Sequence, residues 1–370
     1  MRVLYVNQWS GLGGAEVSLL RLLERLPREE VQPVLACPPG ALVEEARAMG
    51  VETVAVRIPP LKHGYRLGAE DIRCLQRAMT SCDLVHAYSV RAGWFAGRLC
   101  RQLGLPMVWS IHDLFTLPWQ KLWLRIVAWR YAQAVVAYSR ILQKQFGDGL
   151  QHKVHLLPHG IDTQVFSPVD ALQRGQLRWT FQTAEDALVV LHVGRLMPFK
   201  GQHLFLRMAQ VLVRRFPPDY ALTFWLAGDA SMGDPNYAVQ MREQARDIDQ
   251  QVRWLGFQRD IAPIIASADV LVHCSTRPEP FGLVVLEAMA CGTAVVSANR
   301  GATAEIIEDG RTGLVTPPND VAALAEGVQT LLTNKLRRQT MAASARQVVC
   351  ERYTLQQHVQ RLIGIYRTLL

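Results

Sequence analysis

The residues of this chain whose types and spacing could do chemistry fall in a few short stretches. The longest runs Arg277-Pro278-Glu279-Pro280-Phe281-Gly282-Leu283-Val284-Val285-Leu286-Glu287-Ala288-Met289-Ala290-Cys291-Gly292, with seven residues between its two glutamates. Proline cannot donate to an inner strand ladder, so a loop ends at Pro280 and a helix begins. The segment 282–291 is apolar on every side, which predicts a buried helix. Glu287 sits in its middle, and a lone buried carboxylate is costly unless something satisfies it. A hydroxyl-rich ligand such as a ribose would do so, and so would an internal salt bridge with an arginine such as Arg195. Glu279 lies just before the helix, beside the free N–H groups of Phe281, Gly282 and Leu283. One glutamate belongs to a loop and the other to a buried helix face. That suits binding better than flanking one scissile bond as an acid and base.

A second stretch, Gly194-Arg195-Leu196-Met197-Pro198-Phe199-Lys200-Gly201, sets two cations five residues apart at the start of a predicted helix. Two cations and helix N–H groups would neutralise a pyrophosphate without a metal; solvated loop cations are the plainer reading. No Gly-Lys-Ser/Thr closes the loop, so it is not a Walker sequence. A third stretch, Gly11-Leu12-Gly13-Gly14-Ala15-Glu16, falls between a predicted strand and helix, where N–H groups could cradle a phosphate. Through Gly11–Gly14 it approximates the glycine turn of an NAD(P)-dependent oxidoreductase. Glu16 occupies the third glycine position, however, and Val34-Leu35-Ala36-Cys37 offers no carboxylate to a ribose. A tight structural turn is the alternative. His112 and Asp113 follow a predicted strand; a lone histidine is more often a satisfied structural residue than a catalyst. Asp247-Ile248-Asp249 has the look of a metal-binding Asp-x-Asp, but on a helix such residues point about 200° apart and cannot share an ion. No metal and no cofactor is expected, although a turn at 247–249 would leave metal ligation open.

Strands must position these stretches. Candidates are 2–7, 32–37, 51–57, 83–88, 106–112, 134–138 and 154–157; after about residue 167 the pattern restarts with 187–194, 221–227, 252–256, 269–274, 293–298 and 313–315. Many are continuous apolar runs, as parallel strands covered on both faces require. Amphipathic stretches fall between them, for example 15–26, 91–103, 202–215 and 319–332. The expectation is α/β: two doubly wound Rossmann-like domains facing a cleft, with a break over 158–186 and ligands beyond the carboxyl ends of the strands.

Composition narrows the classes. With 370 residues, 49% hydrophobic and 19% charged, the chain is neither disordered nor a single small domain. No apolar run reaches the ~18 residues of a membrane-spanning helix. Met1 leads directly into Arg2-Val3-Leu4-Tyr5-Val6, which reads as a strand and not a signal peptide. Seven scattered cysteines without a Cys-x-x-Cys pair predict reduced thiols in a cytosol. The net charge is +8, and residues 57–130 carry 11 basic against 4 acidic residues. Such a field attracts anions such as nucleic acid, anionic lipid or a phosphorylated substrate, or simply solubilises the surface. No nucleic-acid motif or stacking platform accompanies it, so no nucleic-acid partner is expected.

Taken together, these stretches resemble a retaining glycosyltransferase of family 4, with the two-domain GT-B fold. Gly13-Gly14-Ala15-Glu16 resembles that family's first glycine loop, 194–201 its diphosphate loop, and 279–292 its two-glutamate signature. Ile161-Asp162 with Phe166, Gly228-Asp229 and Asp309-Gly310 with Gly313-Leu314 extend the match. The resemblance implies an acceptor-side domain of residues 1–166 plus a returning helix in 352–370, and a donor domain of 167–351. It implies that Arg195 and Lys200 hold the diphosphate of a nucleotide-sugar, with Gly13 and Gly14 approaching it from the other domain. Glu287 would accept ribose hydroxyls. Glu279, with the N–H groups at Phe281, Gly282 and Leu283, would hold the donor sugar, near His112. Phe257 and Gln258 would read the base. His112, Arg195, Lys200 and Glu279 are thus the expected catalytic group. The implied activity is transfer of a hexose from a UDP-sugar, UDP-glucose favoured, to a sugar or lipid-linked acceptor in cell-envelope or exopolysaccharide synthesis. An oxidoreductase, or a protein that binds a nucleotide-sugar without catalysis, is the alternative.

Residues 117–138 bring Trp119, Trp123 and Trp129 together with Lys121, Arg125 and Arg130. Tryptophan and basic residues on one helix suit a membrane interface; a core helix with exposed basic residues is the competing reading. On the first, Trp119, Trp123, Ile126/Val127 and Arg130 share a face that meets an anionic membrane. The expected location is then the cytoplasm, at the inner face of the cytoplasmic membrane.

Overall fold

Continuous apolar runs become parallel strands when helices cover both of their faces. The computed structural model describes residues 1–59, 67–231, 234–298 and 301–370. Lys62 and Arg66 of the basic stretch lie outside them. Strands β1 (Arg2–Val6), β2 (Gln32–Cys37), β3 (Glu52–Ala55), β4 (Leu84–Ala87), β5 (Met107–Ile111), β6 (Ala134–Ala137) and β7 (Val154–Leu156) form one sheet, ordered β3-β2-β1-β4-β5-β6-β7. Strands β8 (Leu188–Val193), β9 (Leu222–Ala227), β10 (Val252–Gly256), β11 (Val270–His273), β12 (Ala294–Ala298) and β13 (Leu314–Thr316) form a second, ordered β10-β9-β8-β11-β12-β13. Neighbouring strands are parallel throughout, for example Val3↔Leu84 and Leu271↔Leu191. Both sheets have the doubly wound order of a Rossmann-like fold. Each reverses its winding beside its first strand, at β1/β4 and at β8/β11, where such folds bind ligands.

The chain divides into two compact units, Met1–Gly160 with Leu355–Leu370, and Ile161–Thr354. The first buries Trp109, whose indole N–H donates to the Ser89 carbonyl at 2.9 Å. The second buries Trp225, whose indole donates to Thr183 Oγ1 at 3.0 Å. Each satisfied indole lets a large side chain fill the sheet face without an orphaned donor.

The helix Leu355–Arg367 belongs to the first unit and buries Leu362, Ile363 and Tyr366 there. The Tyr366 hydroxyl lies 3.0 Å from Tyr5 Oη and 2.6 Å from His86 Nδ1. His86 Nε2 continues to Ser110 Oγ at 2.7 Å, which also accepts from Tyr138 Oη at 2.8 Å. This buried polar chain links β1, β4, β5, the residue after β6 and the last helix.

The stretch 158–186, expected as a break, contains the helix Ala171–Thr180, capped by the Asp170 carboxylate on the Gln173 N–H. It has almost no apolar face. Its one buried residue is Arg178, whose guanidinium pairs with Asp269 at 2.8 Å and donates to the Glu185 and Ala187 carbonyls. A helix held by an arginine leaves no hydrophobic periodicity to find.

Candidate active site

In the second unit, the loop 194–201 leaves β8 and the loop 274–282 leaves β11, so both rise from the winding reversal. They are joined to each other. The Thr276 N–H donates to the Phe199 carbonyl at 2.8 Å, and the Cys274 thiol to the Gly201 carbonyl at 3.2 Å. Gly201 has φ +81, and a Cβ there would lie 2.0 Å from the Cys274 carbonyl oxygen. Only glycine permits that approach, which sets Lys200 against the second loop. The Lys200 carbonyl accepts the ring N–H of His192 at 3.0 Å. Burial, with His273 nearby, pushes His192 down to about 3, so the ring is neutral.

The Lys200 ammonium reaches across to Glu279 Oε1 at 2.7 Å. Ser275 Oγ donates to the same oxygen at 2.6 Å, and His273 Nε2 lies 3.4 Å from it. Burial alone would raise the Glu279 carboxyl. The bond from His273 and the charge of Lys200 outweigh burial and hold it well below the usual carboxylate range. All these partners fall on Oε1; Oε2 has none among the described residues. The Glu279 carbonyl accepts from the Ala302 N–H at 2.9 Å, which fixes the backbone as well.

Arg195 is exposed, and its guanidinium has no partner among the described residues. Gln202 Nε2 holds its carbonyl at 2.8 Å. Lys200 and Arg277 both lie over the Phe199 ring, at 5.5 and 5.6 Å from its centroid. Glu287 is buried on the helix Leu283–Ala290. Among the described residues, Arg195 is not an ion-pair partner of Glu287. Gly282, with φ +93, turns the chain into this helix, and Phe281 is buried behind it. Leu283 opens the helix, so its N–H has no acceptor within it. Phe257 follows β10 and is exposed, while Gln258 Nε2 donates to the Leu255 carbonyl. Asp247 lies in the short turn Arg246–Gln251, not on a regular helix, and accepts from Gln210 Nε2 at 2.8 Å. Among the described residues, no group of three or more His, Cys, Asp or Glu is placed to hold a metal ion.

In the first unit, Gly13 caps the helix Gly14–Arg25. Glu16 Oε2 accepts the Gly13 N–H at 3.2 Å, and its Oε1 accepts from Asn7 Nδ2 at 3.3 Å. The glutamate at the third glycine position therefore braces the loop. Gly14 is exposed, and its N–H opens the helix. His112 follows β5 with its ring 4.6 Å from that of Tyr88 and 4.7 Å from that of Tyr138. Its Nε2 is buried without a partner among the described residues. Burial, with His358 adding to it, pushes His112 down to about 3. It is a neutral imidazole whose Nε2 is uncommitted among the described residues.

Sequence reasoning missed His273 and Ser275, which hold Glu279. Their signal is their place at the end of β11, beside the winding reversal.

Residues 12–165 match the family model described as Glycosyltransferase Family 4, and residues 173–348 the model described as Glycosyl transferases group 1. Over 313 residues the chain is 30% identical to the alpha-maltose-1-phosphate synthase of Mycolicibacterium smegmatis, covering 78% of this chain and 79% of that protein. The chain belongs to glycosyltransferase family 4. It is also 28% identical to the alpha-D-kanosaminyltransferase of Streptomyces kanamyceticus, over 76% of each. Among solved structures, the Anabaena protein HepE in complex with UDP and glucose superposes with a TM-score of 0.88 at 26% identity, over the full length of both chains. HepE is also seen in complex with UDP-glucose, with a TM-score of 0.87. The paired Rossmann-like units are thus those of a GT-B glycosyltransferase. Family 4 membership replaces the oxidoreductase reading of the glycine turn.

Proposed function

We propose that this family 4 glycosyltransferase is a retaining, metal-independent hexosyltransferase. It takes a hexose from a UDP-sugar, UDP-glucose favoured, to a hydroxyl of a sugar or lipid-linked acceptor in cell-envelope or exopolysaccharide synthesis. The observation that carries the reading is the β8/β11 reversal, where the Lys200–Glu279 pair joins the two loops and the Lys200 loop also carries Arg195, whose guanidinium has no partner among the described residues. The UDP and UDP-glucose bound by HepE favour this donor class.

Breaking the bond between the anomeric carbon and the diphosphate oxygen places negative charge on the diphosphate and positive charge on the sugar. Arg195 and Lys200 stabilise the first without a metal, a contribution of roughly several kcal/mol in such sites. The Oε2 of Glu279 accepts a donor sugar hydroxyl, and the adjacent helix N–H groups add donors. Glu287 accepts ribose hydroxyls. The neutral His112 offers its uncommitted Nε2 to a sugar hydroxyl. The acceptor oxygen bonds the anomeric carbon on the face that the diphosphate leaves. Its proton passes to the departing phosphate oxygen, so no protein base is required and configuration is kept.

The test is thermal unfolding with UDP, GDP, ADP or NAD, each with a chelator. A ligand at ~100 times its dissociation constant stabilises the folded state by about 2.7 kcal/mol. A shift selective for UDP is expected, followed by an α-linked product from an α-linked UDP-hexose when the anomeric proton is read by NMR. A shift confined to another nucleotide, or an inverted product, overturns the corresponding part of the reading.

A further inference from the structure

The helix Pro118–Tyr131 turns an apolar stripe to solvent. Trp119, Leu122, Ile126 and Trp129 are 65%, 58%, 50% and 64% exposed. At 100° per residue they fall within an arc of about 80° on the helix. The face differs from the one expected. Val127 is buried, and Trp123 turns toward the neighbouring helix Val90–Leu103, its ring 5.6 Å from Trp94. Nor is this a core helix with only basic residues exposed. Soluble monomers rarely leave so much contiguous apolar surface uncovered without a use for it.

The charges around the stripe choose its occupant. Arg125 and Arg130 flank it on the helical wheel, one on each side. Arg125 is braced by the Gln145 carbonyl at 2.8 Å, whereas Arg130 is exposed. From 114 to 147 the chain has no acidic residue and five basic ones, Lys121, Arg125, Arg130, Arg140 and Lys144. The neighbouring helix Val90–Leu103 adds exposed Arg98 and Arg101, again with no acidic residue. The Lys153 ammonium caps the end of the stripe, donating to the Trp129 and Ala132 carbonyls at 3.3 and 2.9 Å. Two tryptophans for the headgroup level, two aliphatic side chains for the acyl boundary and a predominantly basic rim, in which Asp148 beside Ile126 and Trp129 is outnumbered by the surrounding cations, match an anionic bilayer surface. A second copy of the same face would set like charges against each other.

We propose that this face docks the first unit on an anionic lipid bilayer, lying in the interface and not crossing it. None of the residues of the stripe is among those assigned to donor chemistry, so docking and donor binding are separable. The experiment is flotation of the whole protein with vesicles of phosphatidylcholine alone or with one third phosphatidylglycerol, at low and high salt, with tryptophan emission recorded. Binding to the anionic vesicles, a blue shift of emission and release by salt are expected. Ile126→Glu and the double variant Trp119→Ala/Trp129→Ala should each weaken binding at least tenfold, and Arg130→Glu should weaken it and flatten its salt dependence. All should keep the wild-type unfolding temperature and its UDP shift. Wild-type binding by the Ile126→Glu variant, or no preference for anionic vesicles, overturns the proposal. So does a concentration-dependent dimer in sedimentation velocity that Ile126→Glu abolishes, which would give the face to a second copy.

Discussion

At Glu279, three groups converge on one carboxylate oxygen and leave the other open. That asymmetry separates binding of the nucleotide from binding of the sugar. Glu279→Gln should leave UDP affinity within a few-fold of wild type and weaken UDP-sugar binding by tenfold or more, read by calorimetry with both ligands. Arg195 makes the opposite case, because its guanidinium, without a partner among the described residues, suits charge that develops on the diphosphate. Arg195→Ala should lower kcat by roughly a hundredfold, with a smaller effect on donor affinity. Unchanged turnover would remove the role assigned to it. The pair of cations and the two glutamates were legible in the sequence because charge in apolar surroundings stands out. His273 and Ser275 were not, since nothing in a strand-ending His-Cys-Ser says that it faces a carboxylate four residues on.

At the scale of the elements, the strands were legible because burial on both faces leaves unbroken apolar runs. The helix Ala171–Thr180 was not, because a buried arginine does the work that leucines usually do. The outward face of Pro118–Tyr131 was hidden for a different reason: the segment is apolar on most sides, and periodicity cannot say which side is left bare. Element junctions also carry predictions. Gly201→Ala would force a side chain onto the Cys274 carbonyl from a backbone with positive φ. The loops after β8 and β11 should separate, with a Tm loss of several degrees and weaker UDP binding, as strain at such a site costs about 1–3 kcal/mol. In the first unit, burial pushes His86 and His112 down to about 3 and His358 to about 4, and holds His159 well below the usual histidine range. Each is neutral when folded and takes up a proton near pH ~6.5 when unfolded. The unfolded state therefore binds more protons between those values, and stability falls as pH drops below ~6.5 toward 4. Urea midpoints at pH 7, 6, 5 and 4.5 should decline steadily; a flat series would contradict this.

For the molecule as a whole, the first unit is assembled from two distant parts of the chain. Tyr366→Phe would strip the hydroxyl shared by Tyr5 and His86, leaving a buried ring nitrogen without its partner. A loss of about 1–3 kcal/mol is expected, measured as a lowered urea midpoint for the first unit with that of the second unchanged. Removal of residues 355–370 should go further and unfold the first unit, because Leu362, Ile363 and Tyr366 form part of its core. Proteolysis would then leave the second unit as the resistant fragment.

That arrangement sets an order on the ribosome. Strands β1 to β7 emerge early, but the helix that seats Tyr366 beside His86 is made after the whole second unit, about 200 residues later. At ~5–20 residues per second the delay is roughly 10–40 s. The unit that starts first thus finishes last, and during the wait its half-built core is exposed to chaperones, to proteases and to other nascent chains.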